Sequence, residues 1–218
     1  MTKVKICGVT RPEHALAAVE AGADFIGMMF AESHRRIAPA QAREIIAAVR
    51  HGAGAPPKFA GVFVNASAAD VNAIAADLSL DLVQLSGDEN ADYLEQMTVP
   101  VIKAVRIPPN LPERVAVATA GRTLAALRES SALALLDSHV PGRYGGTGAL
   151  ADWPIAAQLS PSYRFLLAGG LTPTNVAEAV RTVRPWGVDV SSGVETDKIK
   201  DIAKIRAFIA AVRATDAA

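Results

Sequence analysis

The chain holds one cysteine, Cys7, in 218 residues. A disulfide framework within the chain is therefore excluded, as is a zinc site built on cysteine pairs. An excess of charge is also lacking: 22 Lys and Arg balance 22 Asp and Glu, so the formal net charge is zero. That argues against the broad electrostatic footprint of a protein partnered with nucleic acid or an anionic membrane, while local anion sites stay open. Long apolar runs are missing too. The longest are broken by charged or turn residues well short of the ~20 needed to cross a bilayer. The N-terminus opens on a polar strand rather than the basic start and apolar run of a signal peptide. The four histidines, His14, His34, His51 and His139, show no metal-ligand spacing. His14 and His51 fall in or at the end of helical stretches and read as surface residues. These absences point to a reduced, cytoplasmic protein that handles a small molecule and binds no metal.

What is present is an alternation. Half the residues are hydrophobic and a fifth are charged, and the length allows a large core. Short apolar runs recur at Val4–Cys7, Phe25–Phe30, Phe59–Val64, Leu82–Leu85, Val101–Val105, Leu133–Asp137, Phe165–Ala168 and Val188–Val190. Runs such as G-V-F-V and L-A-L-L are continuously apolar, the pattern of parallel strands buried on both faces. Between them lie helical stretches, including Pro12–Ala21, Pro39–Val49, a helix capped at Thr172-Pro173 and running to about Val183, and a last helix over Lys198–Arg213. Eight parallel strands with helical crossovers can close into a barrel. An open doubly wound sheet is the alternative, but its G-x-G-x-x-G loop should follow the first strand, where this chain has C-G-V-T. The expectation is one compact (β/α)8 TIM barrel over residues 1–218, with no linker or composition shift to divide it.

Chemistry in such a barrel belongs to the C-terminal strand ends and the loops after them. Cys7 ends the first strand; it reads either as a small packed residue or as a reactive thiol, and reactivity would require a thiolate held by amide dipoles or a cation. Asp137 ends the sixth strand after an apolar run. It is either a loop cap or a partly desolvated carboxyl suited to proton donation. Gly169 and Gly170 on the seventh strand, with Ser191, Ser192 and Gly193 on the eighth, resemble an anion cradle of backbone amides and hydroxyls, in the usual phosphate position of this fold. Arg35 and Arg36 follow the second strand, and either could be solvated surface or a bidentate partner for a substrate carboxylate. The strongest loop signal, V-P-G-R-Y-G-G-T-G over Val140–Gly148, follows strand six.

K-I-C-G-V-T, L-L-D, Y-G-G-T-G, L-A-G-G-L-T-P-T-N-V and V-D-V-S-S-G-V-E-T stand in this order along the chain. Together they closely resemble phosphoribosylanthranilate isomerase, a family of the tryptophan pathway, over nearly the whole length. The resemblance implies a cofactor-free Amadori rearrangement of N-(5-phosphoribosyl)anthranilate, an aminoaldose, to the aminodeoxyribulose phosphate. It implies Asp137 as general acid, Cys7 as general base, Gly169, Gly170, Ser191, Ser192 and Gly193 as phosphate ligands, and Arg35 as partner of the anthranilate carboxylate. Asp189 is expected near a substrate hydroxyl. Departures from the family pattern are Ser86 in place of a histidine, a loop before Arg35 about one residue shorter, and Ala149 and Ala151 where Lys and Phe are usual. A small phosphoribosyl substrate and a monomer or homodimer are expected. Two competing readings are another phosphosugar barrel isomerase or lyase, which should carry a lysine or paired aspartates at these strand ends, and a phosphate-binding scaffold without catalysis.

Overall fold

Each of the eight apolar runs forms a strand in the computed structural model, which describes residues 1–52, 57–108, 111–137 and 152–217. The strands are β1 (Lys3–Cys7), β2 (Phe25–Met29), β3 (Lys58–Phe63), β4 (Leu82–Leu85), β5 (Val101–Arg106), β6 (Leu133–Asp137), β7 (Phe165–Leu167) and β8 (Gly187–Val190). All pair in parallel with their sequence neighbours, and β8 returns to β1 with Lys5 opposite Asp189, closing the barrel. The closed barrel itself has no edge strand. The loop signal at 140–148, with Ala149, Ala151 and His139, lies outside the described residues.

The period of two along each strand sorts side chains between two cores. Outward residues such as Val4, Ile6, Ile26 and Val188 pack with the helices in one large cluster. Inward residues Phe25, Ala60, Leu82, Ile102, Ala104, Leu135, Leu166 and Ala168 form a second cluster that fills the barrel. Full burial of each large side chain contributes about 1.5–3 kcal/mol, so the two clusters supply most of the drive to fold.

Helices α1 (Pro12–Glu20), α2 (Pro39–Gly52), α3 (Ala68–Asp77), α4 (Ala91–Leu94), α5 (Glu113–Glu129), α6 (Trp153–Leu159), α7 (Val176–Val183) and α8 (Ile202–Asp216) cover the barrel. None is long and apolar enough to cross a membrane among the described residues. In α1, Pro12 fixes the first turn, and Ala15, Ala17 and Ala18 let the helix lie close to its neighbours. His14 belongs to this inward face. It is buried, not a surface residue as its sequence context suggests, whereas His51 is exposed.

Two helix starts differ from the sequence reading. The segment Thr172-Pro173 lies in a turn, and α7 begins at Val176. The Asn175 side chain, accepting from the Thr172 amide at 2.7 Å and donating to the Gly170 carbonyl at 3.0 Å, holds that turn. The last helix begins at Ile202 rather than Lys198, because Asp201 caps it by accepting from the amides of Ala203 and Lys204. The residues before it form a hairpin of β9 (Glu195–Thr196) and β10 (Ile199–Lys200). Asp197 and Lys198 at its tip have φ of 50° and 64°, the left-handed pair that a two-residue I′ turn requires.

Candidate active site

Lys5 and Cys7 stand two residues apart on β1, so both point into the barrel. Lys5 is fully buried and Cys7 is 4% exposed. The Lys5 ammonium donates to Asp189 Oδ1 on β8 at 2.7 Å. Opposite Cys7 in the β1–β2 register is Gly27. A Cβ on Gly27 would stand 2.9 Å from Cys7 Sγ and 3.1 Å from Lys5 Nζ, so the thiol and the ammonium converge on one spot that only glycine leaves open. Burial pushes the Cys7 thiol up from its ordinary value. The neighbouring Lys5 charge pulls the other way, Asp189 adds to the rise, and Lys200 opposes it from farther off. Burial also opposes the charged form of Lys5, but Asp189 and Cys7 outweigh it and hold the amine above its ordinary value. Lys5 is therefore the main charge that offsets the cost of burying a thiolate at Cys7.

The far side of Cys7 is built by the chain after β8. Ser191 Oγ donates to the Cys7 carbonyl at 3.1 Å, tying the ends of β8 and β1 together. A single 3₁₀ turn over Ser192–Val194 then leads into β9. There Glu195 accepts from Arg35 Nε at 2.6 Å and Nη2 at 2.9 Å, and from Lys200 Nζ at 2.5 Å. Lys200 also donates to the Ser191 carbonyl at 2.9 Å. Burial would raise the Glu195 carboxyl, but the Arg35 hydrogen bonds and the Lys200 charge prevail and hold it at about 2. Lys200 itself is lowered, because its burial outweighs the pull of Glu195. Arg35 lies over Gly8: a Cβ there would meet Arg35 Cδ at 2.5 Å, and its φ of 72° suits glycine. Arg36, the neighbour in sequence, is exposed.

The loops after β7 and β8 touch. Gly169 and Gly170 have φ of 86° and 63°, and a Cβ on Gly193 would run into the Leu171 carbonyl. The five residues read from the sequence as an anion cradle thus lie on two adjoining loops. The Ser191 hydroxyl within this set is engaged with the Cys7 carbonyl. Asp137 ends β6 in register with Arg106 of β5, at the same barrel end as Cys7 and separated from β1 by β7 and β8. Arg106 donates to the Ser86 carbonyl, and the buried Ser86 hydroxyl meets Gln84 Nε2 at 3.0 Å.

The sequence reading did not include Lys5, Glu195 and Lys200. The period of two from Cys7 could have indicated Lys5; nothing in the spacing of Glu195 and Lys200 indicates that they flank a buried arginine. A cavity of about 740 Å³ sits at the opposite end of the barrel, lined by residues such as Lys58, Arg128, Arg164 and Trp186. The Arg164 guanidinium covers the Trp186 ring at 3.9 Å there. That end carries none of the strand-terminal acid, thiol and glycine residues, so the chemistry is read at the other face.

The family model for N-(5'-phosphoribosyl)anthranilate (PRA) isomerase matches residues 4–211. The chain is 50% identical over 218 residues to the N-(5'-phosphoribosyl)anthranilate isomerase of Roseiflexus sp. (strain RS-1), covering 98% of this chain and 99% of the relative. The crystal structure of phosphoribosyl anthranilate isomerase from Thermotoga maritima superposes with a TM-score of 0.82 at 34% identity, covering 98% of this chain and 100% of that one. A phosphoribosyl anthranilate isomerase in complex with reduced 1-(o-carboxyphenylamino)-1-deoxyribulose 5-phosphate superposes with a TM-score of 0.80 at 32% identity, with the same coverage.

Proposed function

The chain belongs to the N-(5'-phosphoribosyl)anthranilate isomerase family, and from that premise we propose how its own residues divide the reaction. The protein is an isomerase of tryptophan biosynthesis that converts the phosphoribosyl aminoaldose to the aminodeoxyribulose phosphate. Asp137 donates a proton to the ribose ring oxygen, the C1′–O bond breaks, and the ring opens to a protonated Schiff base. Cys7, as thiolate, then removes the C2′ proton; the electron pair moves toward nitrogen and gives an enolamine. Tautomerisation places the proton on C1′ and leaves the ketone at C2′, so atoms and electrons balance without a co-reactant. The observation that carries this division is the placement of the sole thiol beside a buried ammonium at one end of the barrel, with Asp137 on β6 at the same end.

Arg35 would take the anthranilate carboxylate. Its Nε–Nη2 edge is paired with Glu195, which orients the guanidinium and leaves Nη1 as the donor for the substrate; the exposure of Arg36 favours Arg35 over it. The amides of Gly169, Gly170 and Gly193 and the Ser192 hydroxyl would hold the phosphate. Ser191 contributes chiefly by fixing the loop to β1. Asp189, engaged with Lys5, would meet a substrate hydroxyl only with its second oxygen. The place of action is the cytoplasm and the working form a monomer or homodimer.

Loss of substrate fluorescence on turnover tests this reading. Cys7→Ser and Asp137→Asn should each lower kcat by about 10²–10⁴-fold while binding of the product analogue survives. Near-native turnover by Cys7→Ala would exclude the base assignment.

A further inference from the structure

Lys5 is among the largest fully buried side chains of the described residues, and the acid–base steps above leave it without a task. A lysine is seldom fully buried unless it is paired, and replacing a buried ion pair with apolar side chains often leaves stability unchanged or improved. Stability alone therefore does not account for Lys5 and Asp189 inside a barrel that is otherwise filled by Phe25, Ala60, Leu82, Ile102 and Leu135.

The surroundings indicate what it does. One ammonium donor goes to Asp189 Oδ1 at 2.7 Å, and an ammonium has three. Its nitrogen and Cys7 Sγ both reach within about 3 Å of the same point above Gly27. Lys200 on β10 and Asp189 on β8 also act on the sulfur, and Arg35, which lies over Gly8, is paired with Glu195. In this cluster the buried cations Lys5, Lys200 and Arg35 face two carboxylates, Asp189 and Glu195. The Lys5–Asp189 pair is neutral while the thiol is protonated, and the ammonium's remaining donors can serve the sulfur when it loses its proton.

We propose that Lys5, oriented by Asp189, is a positioning residue that supplies the counter-charge to the Cys7 thiolate during proton abstraction. The proposal rests on the assignment of Cys7 as base, and it identifies what makes a buried thiol usable in that role. Asp189 fixes the ammonium beneath the sulfur, and the absence of a side chain at Gly27 keeps the two in contact.

The test is a pH titration of the thiolate by its far-ultraviolet absorbance, taken without substrate against a Cys7→Ser blank. A single cysteine makes the signal unambiguous. Lys5→Met should raise the midpoint by about one to two pH units, and kcat should fall about 10–100-fold with KM changed less than about threefold. A folded Lys5→Met protein with an unmoved midpoint overturns the proposal. Should that variant fail to fold because Asp189 is left unpaired, Lys5→Met/Asp189→Asn removes both charges. Its midpoint should still rise, by less, since Lys5 Nζ shares the space above Gly27 with the sulfur while Asp189 is held on that ammonium; an unmoved or lowered midpoint overturns the proposal. The titration reads Lys5 against sulfur whether or not Cys7 is the base, which the turnover of Cys7→Ser decides separately.

Discussion

Gly27 shows how much one missing side chain can decide. Its backbone is ordinary strand, so alanine would fit its conformation, yet the added methyl would press on both Cys7 Sγ and Lys5 Nζ. Gly27→Ala should destabilise the protein by about 1–3 kcal/mol through overpacking and lower kcat more than about tenfold by displacing the thiol. Urea unfolding and steady-state kinetics on the same preparation check the two effects. Wild-type kinetics would show that the thiol can shift without loss. Residues at this scale were unevenly legible in the sequence. Cys7 and Asp137 stand at the ends of apolar runs, so their place at the barrel mouth follows from strand length. Lys5 sits inside a run, where a charged residue reads as the solvent face of a strand; only closure of the barrel turns that face inward. The burial of His14 is not legible for a related reason, because a polar residue in an Ala-rich helix gives no sign of which face it occupies.

Among the elements, the strands were read within a residue or so at each end, because burial on both faces leaves a continuous apolar signature. Helix starts were less legible. Thr172-Pro173 has the composition of a cap, but the Asn175 side chain bonds across the turn to Thr172 and Gly170 and delays the helix by three residues. That delay leaves the β7–α7 turn as a pinned loop carrying Gly169 and Gly170. Asn175→Ala should weaken binding of inorganic phosphate or product, with a loss of only about 1 kcal/mol in stability from the missing hydrogen bonds. Calorimetric titration with phosphate and chemical unfolding separate the two, and unchanged phosphate affinity would argue against this loop as the anion site. The β9–β10 hairpin is not legible in the sequence either. Its strands have two residues each, too short for any period, and its turn uses Asp and Lys in left-handed conformations rather than the usual Asn-Gly.

For the molecule as a whole, charged groups tie distant parts of the chain together. Asp216 near the end of α8 accepts from the Thr2 amide and hydroxyl, and Arg213 donates to the carbonyls of Thr2 and Gly22. Glu195 joins the loops after β2 and β8 in the same way. Glu195 lies at about 2 against an ordinary 4.5, despite its burial, through Arg35 and Lys200; Asp216 is lowered as well, Thr2 prevailing over burial. Depressed carboxyls contribute stability that is fully present above their unfolded values and is lost as pH falls toward the folded ones. Acid titration of stability should therefore show a decline between about pH 4.5 and pH 2. Glu195→Gln should lower the neutral plateau and flatten that decline, as followed by circular dichroism; a decline unchanged from wild type would mean that Glu195 is not a main contributor. The burial of Cys7 has a further consequence for the intact chain. A sulfenic acid formed there would find no second thiol in the molecule with which to close a disulfide, so repair depends on a small external reductant reaching a sulfur that is 4% exposed. The packing that shields this atom from oxidants also shields it from rescue.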